Sequence, residues 1–443
     1  MAQGTVLGLA AALREGKTTS RALVEEALGR IADRATFIAL APAALEVAEA
    51  QDRLRRAGYA GSPLAGLPVS VKDLFDVAGE RTLAGSKALD DRPPAARDAA
   101  IVARLKAAGA VIVGRTNMTE FAFSGVGINP HYGTPGNPFD RTRIPGGSSS
   151  GAAVSAKDGS SVVAIGTDTG GSVRIPSALC GLVGFKPTAR RVPTAGAVPL
   201  STTLDSVGPL ARSVACCAIA DAVMAGEPPV VPPPRPVAGL RLAVPQTVVL
   251  DGLDDAVAAC FTRALSVLSR AGATVTDLAL TEMGDYAAIN ATGGFSPAEA
   301  FAWHRALLAR RGGEYDPRVR TRIERGSAMM AAEYVTLVAD RARFIARIDA
   351  ATAGFDALLW PTVAIVAPPI SAFAEDREFV RLNMLILRNP SIVNFIDRCA
   401  ITLPVQRAGE APVGLMLVGR AGEDRQLLGM ALGIEAALAA ARA

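Results

Sequence analysis

The segment GTDTGGSVRIP, residues 166–176, places Ser172 directly after two glycines, Gly170 and Gly171. Glycines let backbone N–H groups come close to a ligand and point at an anion, and a serine beside them can serve as a nucleophile. Such a serine needs a group to take its proton. The chain has only two histidines, His131 and His304. His304 lies inside a strongly marked helical segment, where a packing or surface role is the simpler reading. A second Gly/Ser-rich stretch, IPGGSSSGAAVSA at residues 144–156, brings Ser148 and Ser149. Each stretch taken alone also fits a flexible loop or a tight turn. Lys72, in GLPVSVKDLFDVAG at residues 66–79, offers a base. A free lysine titrates near ~10.4, and burial among apolar residues lowers that value by up to several units. A neutral amine close to pH ~7 is a competent general base. A surface ion pair of Lys72 with Asp73 or Asp76 is the competing reading.

Other chemistries fit less well. Neither Gly/Ser stretch ends in the Lys-Ser/Thr pair of a phosphate-binding loop. Gly147, Ser149 and Gly151 satisfy G-x-S-x-G, but that motif requires a strand before it and a helix after it. The preceding GNPFDRTRIPGG is polar and contains Pro138 and Pro145, a poor strand. Five scattered cysteines, no CxxC and two histidines argue against a disulfide framework or a zinc site. The cysteines read as small core residues in a reducing compartment. Neither a metal nor a cofactor is expected.

The elements that must hold these groups repeat one plan. In DAAIVARLKAAGAVIVGRTN, Asp98 is placed to cap a helix, Ile101, Val102 and Leu105 share a face, Gly109 ends it, and residues 110–113 follow as a buried strand. The plan recurs from Asp254, with Gly272 as the stop. GLRLAVP (239–245) and FDALLWPT (355–362) read as further strands. SPAEAFAWHRALLARRGG predicts a helix with Ser296 as N-cap, Pro297 at its first position, Glu299 closing a capping box and Gly312 ending it. Strands alternating with helices indicate an α/β protein with a large, mainly parallel twisted sheet covered by helices on both faces. The 443 residues are 50% hydrophobic and 20% charged, an ordinary globular profile. A single domain over residues 1–443 is expected, with a Pro-rich connection at 226–239 inside it. The net charge of +4 carries no like-charge run, so no nucleic-acid partner is expected. The start of the chain reads as a first helix, and no apolar run approaches a membrane span. The expected location is the cytoplasm.

Taken together, GLPVSVKD, PGGSSSGAA and GTDTGGSVRIPSALCGLVGFKPT resemble the amidase signature family of serine hydrolases. TNMTEFAFSG, STTLDSVGPLARSV, YDPRVRTRI, DALLWPT and APVGLMLVG extend the likeness over nearly the whole chain. The resemblance implies a large mixed sheet with a catalytic core at about 60–215, and a Ser–cisSer–Lys triad that uses no histidine. Lys72 falls on the family's lysine, Ser172 on its nucleophile, and Ser148 on the bridging serine, with a cis Gly147–Ser148 peptide. Ser149 and Thr167 match positions that hydrogen-bond around the triad. The N–H groups of Thr169, Gly170, Gly171 and Ser172 are implied to form the oxyanion hole, with Asp168 holding the loop. Arg174 is read as binding an acidic substrate group or as a structural ion pair. Met118, Phe121 and Phe123 are read as lining the acyl pocket or as core.

The implied activity is hydrolysis of a small carboxamide to an acid plus ammonia or an amine, through a Ser172 acyl-enzyme. A homodimer is expected as the commonest state of such enzymes. The glutaminase component of a tRNA-dependent amidotransferase is the alternative, although the segment after the triad and the downstream half look unlike it. Two departures stand out. Ser150 occupies a position that is often glycine in the family. The segment at 389–405, NPSIVNFIDRCAITLPV, is bulkier than usual where the family commonly lines its acyl pocket.

Overall fold

The buried strands form where aliphatic and β-branched residues cluster, as in Val163–Asp168 and Gly414–Val418. The protein is described by a computed structural model covering residues 4–59 and 61–441. Its strands are β1 (Phe37–Leu40), β2 (Pro68–Lys72), β3 (Val111–Thr116), β4 (Val163–Asp168), β5 (Val183–Lys186) and β6 (Ser206–Ala211). They continue with β7 (Arg241–Pro245), β8 (Thr274–Leu278), β9 (Ala357–Pro361), β10 (Ala400–Pro404) and β11 (Gly414–Val418). All eleven join one sheet in the order β1-β3-β2-β4-β6-β5-β10-β11-β9-β7-β8.

The sheet is mixed, as the resemblance implied, but it is not mainly parallel. Only β3–β2, β2–β4, β9–β7 and β7–β8 run parallel. The other six neighbouring pairs are antiparallel and fill the centre and one edge. Two of the parallel pairs are the helix–glycine–strand units legible in the sequence. The helix Ala100–Ala107 connects β2 to β3, and Asp255–Arg270 connects β7 to β8. A crossover helix returns the chain to the same end of the sheet, which makes a parallel neighbour. The central strands arrive by other routes, such as the short turn between β10 and β11.

Side chains alternate across each strand, so every central strand feeds two cores. Val69 and Val71 of β2, Val163 and Ile165 of β4, and Leu415 and Leu417 of β11 join one continuous apolar cluster. It is roofed by the helices Val214–Ala225 and Asp424–Ala440. On the opposite face, Ala164 and Leu210 meet Ala152 and Ala153 of the helix Ser150–Asp158. Trp360 and Met416 pack there with Phe344 and Phe395. Helices therefore cover both faces. All five cysteines are buried and unbridged.

Two capping expectations differ. Asp98 does not cap the helix that follows; its carboxylate accepts the Ala78 N–H and pairs with Lys106. The helix Phe295–Arg311 starts with Gly294 as its N-cap, so Ser296 lies inside it. Glu299 closes no capping box because stronger donors reach it from elsewhere: Ser201 Oγ at 2.5 Å, Tyr334 Oη at 2.6 Å and the Thr203 hydroxyl. Gly312 does end that helix. The first helix forms at Val6–Arg14 with Thr5 as its cap, while Met1 to Gln3 lie outside the described residues. Residues 226–239 form neither helix nor strand between Val214–Ala225 and β7. Among the described residues, no helix is long and apolar enough to cross a membrane.

Candidate active site

Lys72 is the last residue of β2, and the strand's alternation decides its environment. Val69 and Val71 point into the larger core, so Ser70 and Lys72 point to the other face. Ser70 Oγ lies 2.9 Å from Ser155 Oγ on the helix Ser150–Asp158. Lys72 Nζ reaches Ser148 Oγ at 2.7 Å and Thr167 Oγ1 at 2.9 Å. The lysine has no solvent exposure. Its sequence neighbours do not pair with it: Asp73 is bound by Arg115 Nε at 2.8 Å, and Asp76 accepts the Thr82 hydroxyl. The surface ion pair is thereby excluded. Burial pushes the Lys72 amine down to about 7, against the opposing pull of Asp205 and Asp168.

Ser148 follows a cis Gly147–Ser148 peptide. No strand precedes it, so the G-x-S-x-G text is not a nucleophile elbow. The Ser149 N–H donates to the Ser172 carbonyl at 3.3 Å, and its hydroxyl donates to the Thr167 carbonyl at 3.4 Å. Ser150, the departure from the family's glycine, sends its hydroxyl to the Asn117 carbonyl, away from the three groups. The Ser172 hydroxyl faces a cavity, and no hydrogen bond joins it to Ser148 among the described residues.

The loop after β4 is organised by Asp168. Its carboxylate accepts the N–H groups of Gly171 at 2.8 Å, Val173 at 3.1 Å and Arg174 at 3.3 Å. Burial opposes its charge, but Arg174, Lys186 and Asn394 outweigh that and hold the carboxyl well below the usual carboxylate range. Gly171 adopts φ of 120°, and a Cβ there would come within 2.5 Å of Pro390. The Gly171 N–H is thus committed to Asp168 and is not a free oxyanion donor, a correction to the expected set. The N–H groups of Thr169, Gly170 and Ser172 have no internal acceptor among the described residues.

Five further residues are corrected or decided. Arg174 is fully buried, pairs with Asp168 at 2.8 Å and donates to Asn394 Oδ1 at 2.6 Å. It is a structural ion pair and does not line the cavity. Phe121 is also outside the cavity wall, packed against His304 and Tyr315 at centroid distances of 4.4 and 5.0 Å. Met118 is buried away from it as well. Phe123 does line it. His304 donates to or accepts from Tyr315 Oη through Nδ1 at 2.9 Å, and burial pushes it down to about 3. Replacing His304 with alanine is expected to leave kcat within about twofold while costing about 2–4 kcal/mol of stability, the range for emptying a large buried site. Equilibrium unfolding beside steady-state kinetics checks this; loss of turnover in a folded variant would give the histidine a chemical role.

The cavity holds about 820 Å³. Thr169, Gly170 and Ser172 form one part of its wall, and the helix Asp376–Phe395 another, with Leu387, Ser391 and Phe395. The unusual segment at 389–405 therefore does reach the cavity. Four arginines line it, Arg322, Arg325, Arg381 and Arg388, and no acidic side chain does among the described residues. Sequence reasoning named none of these arginines. It also gave no role to Asp205, within LDSVGP, whose carboxylate accepts Thr169 Oγ1 at 2.5 Å and is pushed up to about 6 by burial.

Comparison with known proteins agrees with this architecture. The family model described as Amidase matches residues 22–428. The chain is 40% identical over 400 residues to the 2-amino-5-chloromuconic acid deaminase of Comamonas testosteroni, covering 89% of this chain and 86% of that protein. It is 35% identical to a glutamyl-tRNA(Gln) amidotransferase component from Roseiflexus castenholzii, over 94% and 92% of the two chains. A crystal structure of an amidase superposes with a TM-score of 0.89 at 35% identity, over 98% and 99% of the chains. Such a fold and such relatives define a hydrolase acting on amide C–N bonds. The chain belongs to the amidase family.

Proposed function

We propose that Ser172 is the nucleophile, Ser148 the proton relay and Lys72 the base. The observation that carries this is the 2.7 Å contact of a desolvated Lys72 amine with Ser148, beneath a loop that presents Ser172 to the cavity. Neutral Lys72 takes the Ser148 proton as Ser148 takes that of Ser172. The Ser172 oxygen bonds to the amide carbon, and the N–H groups of Thr169, Gly170 and Ser172 receive the developing oxyanion. The relay then returns the proton to the leaving nitrogen as the C–N bond breaks. Water, deprotonated by the same relay, releases the acid. Ser149, Thr167 and Asp168 support this set through the contacts described above.

The substrate is a small amide that also bears a carboxylate. Arg322 supports this reading. Its side chain lines the cavity, its guanidinium lies 4.9 Å from the Phe123 ring, and no carboxylate pairs with it among the described residues. Burial, then Arg325 beside it, push it down to about 10, so it remains charged at neutral pH. A substrate carboxylate would remove the cost of that isolated charge. The Comamonas relative is itself named for deamination of an acid. We propose further that residues 1–443 act as one free-standing cytoplasmic amidase domain, a homodimer with no nucleic-acid partner. The single sheet that joins all eleven strands and the free cysteines support the domain and the compartment.

Ammonia release from matched neutral and carboxylated monoamides tests this reading. Carboxylated amides are expected to be turned over by the isolated chain, and Arg322→Gln to raise their KM by about 30-fold or more while leaving neutral amides unchanged. Glutamine hydrolysis that appears only with an added partner chain would instead favour the amidotransferase role. Equal turnover of neutral and carboxylated amides would remove the anionic substrate.

A further inference from the structure

The same cavity holds, on a different element from Arg322, a further cation with no carboxylate partner among the described residues. Arg388 belongs to the helix Asp376–Phe395, whereas Arg322 belongs to Pro317–Glu324. Arg388 lines the cavity, its Nε donates to Asn389 Oδ1 at 3.0 Å, and no carboxylate pairs with it among the described residues. Of the four cavity arginines, Arg322, Arg325 and Arg388 have no carboxylate partner among the described residues, and Arg325 is exposed. Asp251 lies near enough to favour the Arg388 charge, yet no ion pair forms between them. Arg381, on the same helix, is already engaged by Glu378. Arg388 is therefore the one cavity arginine of this helix with an open charge.

Its position relative to the reacting loop follows from helix geometry. Ser391 Oγ donates to the Gly170 carbonyl at 3.2 Å. Arg388 precedes Ser391 by three residues, about one helical turn or roughly 5 Å along the axis. Arg388 thus stands one turn from the glycine loop, while Arg322 stacks on Phe123 across a separate wall. Arg322 and Arg388 sit on separate elements, and with Arg325 they leave a cationic cavity lined by no acid among the described residues, which suits a ligand with two anionic groups.

We propose that Arg388 is a second anion anchor and that the substrate is a dicarboxylate monoamide, one carboxylate meeting Arg322 and the other Arg388. This rests on the carboxylated-amide reading above and extends it from one charge to two. Arg388 acts here as a specificity-determining residue.

Calorimetric titration of the full-length Ser172→Ala protein, which cannot turn over, tests this without catalysis. The probes are succinate, glutarate and adipate, each against the monocarboxylate of the same carbon number. At least one dicarboxylate is expected to bind about tenfold or more tightly than its counterpart, as a second charge-assisted contact would give. Arg388→Gln is expected to abolish that advantage and to leave monocarboxylate binding within about twofold, which also reports that the variant is folded. Arg322→Gln is expected to weaken both classes. An absent dicarboxylate advantage, an advantage that survives Arg388→Gln, or equal loss of both classes in that variant would overturn the second anchor. Failure of both classes to bind the parent protein would overturn the single-carboxylate reading with it, so the two failures are distinguishable.

Discussion

Replacement of Ser172 by alanine is expected to lower kcat by about six orders of magnitude, the scale seen when a serine nucleophile is removed, and to leave the fold intact. The Ser172 hydroxyl has no hydrogen-bond partner among the described residues, so its removal strands nothing. The loop that carries it is held by Asp168, through the N–H groups of Gly171, Val173 and Arg174, and by the Arg174 ion pair. None of those contacts involves the Ser172 side chain. The melting temperature should therefore stay within about 2 °C of the parent, as for a substitution that breaks no named interaction. Ser148→Ala should also be severely impaired. The double variant should be no worse than Ser172→Ala alone, because groups that act as one relay lose activity once. A Ser148→Ala loss that multiplies onto that of Ser172→Ala would mean that the two serines work independently, and would break the relay. Kinetics on the two single variants and the double variant, with thermal unfolding beside them, decide the matter.

The candidate site was legible where its groups are local in sequence and obscure where it is assembled from distant segments. Lys72, Ser148 and Ser172 each sit in a short stretch whose residue types announce an unusual environment. β2 alternates so strictly that the inward placement of Lys72 follows from Val69 and Val71 alone. Asp168 was legible as a loop-holding carboxylate because the N–H groups it accepts lie within six residues of it. Arg174 was ambiguous for the converse reason. Its bond to Asp168 is local, but the bonds that bury it come from Pro390 and Asn394, more than two hundred residues away. The cavity arginines had no signal at all. YDPRVRTRIERG is rich in arginine, yet only Arg322 of its helix stacks on Phe123, and that depends on how two remote elements meet. The direction of the sheet failed in a similar way. The two helix–glycine–strand units did make parallel pairs, but the antiparallel centre is set by which strands become neighbours, and no local period records that.

The acid limb of the pH profile should report Lys72. Only the neutral amine can take the Ser148 proton, and the folded protein holds that amine near 7. The value of kcat/KM is expected to rise with pH through a single apparent pKa close to 7 and then level off. Asp205 also titrates in this neighbourhood, at about 6, so the limb needs an assignment. Asp205 raises the lysine's pKa through its negative charge. Asp205→Asn should therefore move the limb to lower pH and keep it, whereas a limb that belonged to Asp205 would vanish. Lys72→Met should lower kcat by about four orders of magnitude or more at every pH, since Lys72 is the one basic side chain bonded to Ser148 among the described residues. The same residue sets a stability signature of opposite kind. Between about 7 and the ordinary 10.5 of an unfolded lysine, the unfolded chain binds one more proton at this position than the folded chain. Folding stability from Lys72 then increases as pH rises across that window. Lys72→Met removes this increment, so the difference in unfolding free energy between parent and variant should shift steadily in favour of the parent from about pH 7 to about pH 10. A parent–variant difference that stays flat over that range would show that Lys72 is charged in the folded protein, and would leave Ser148 without its base.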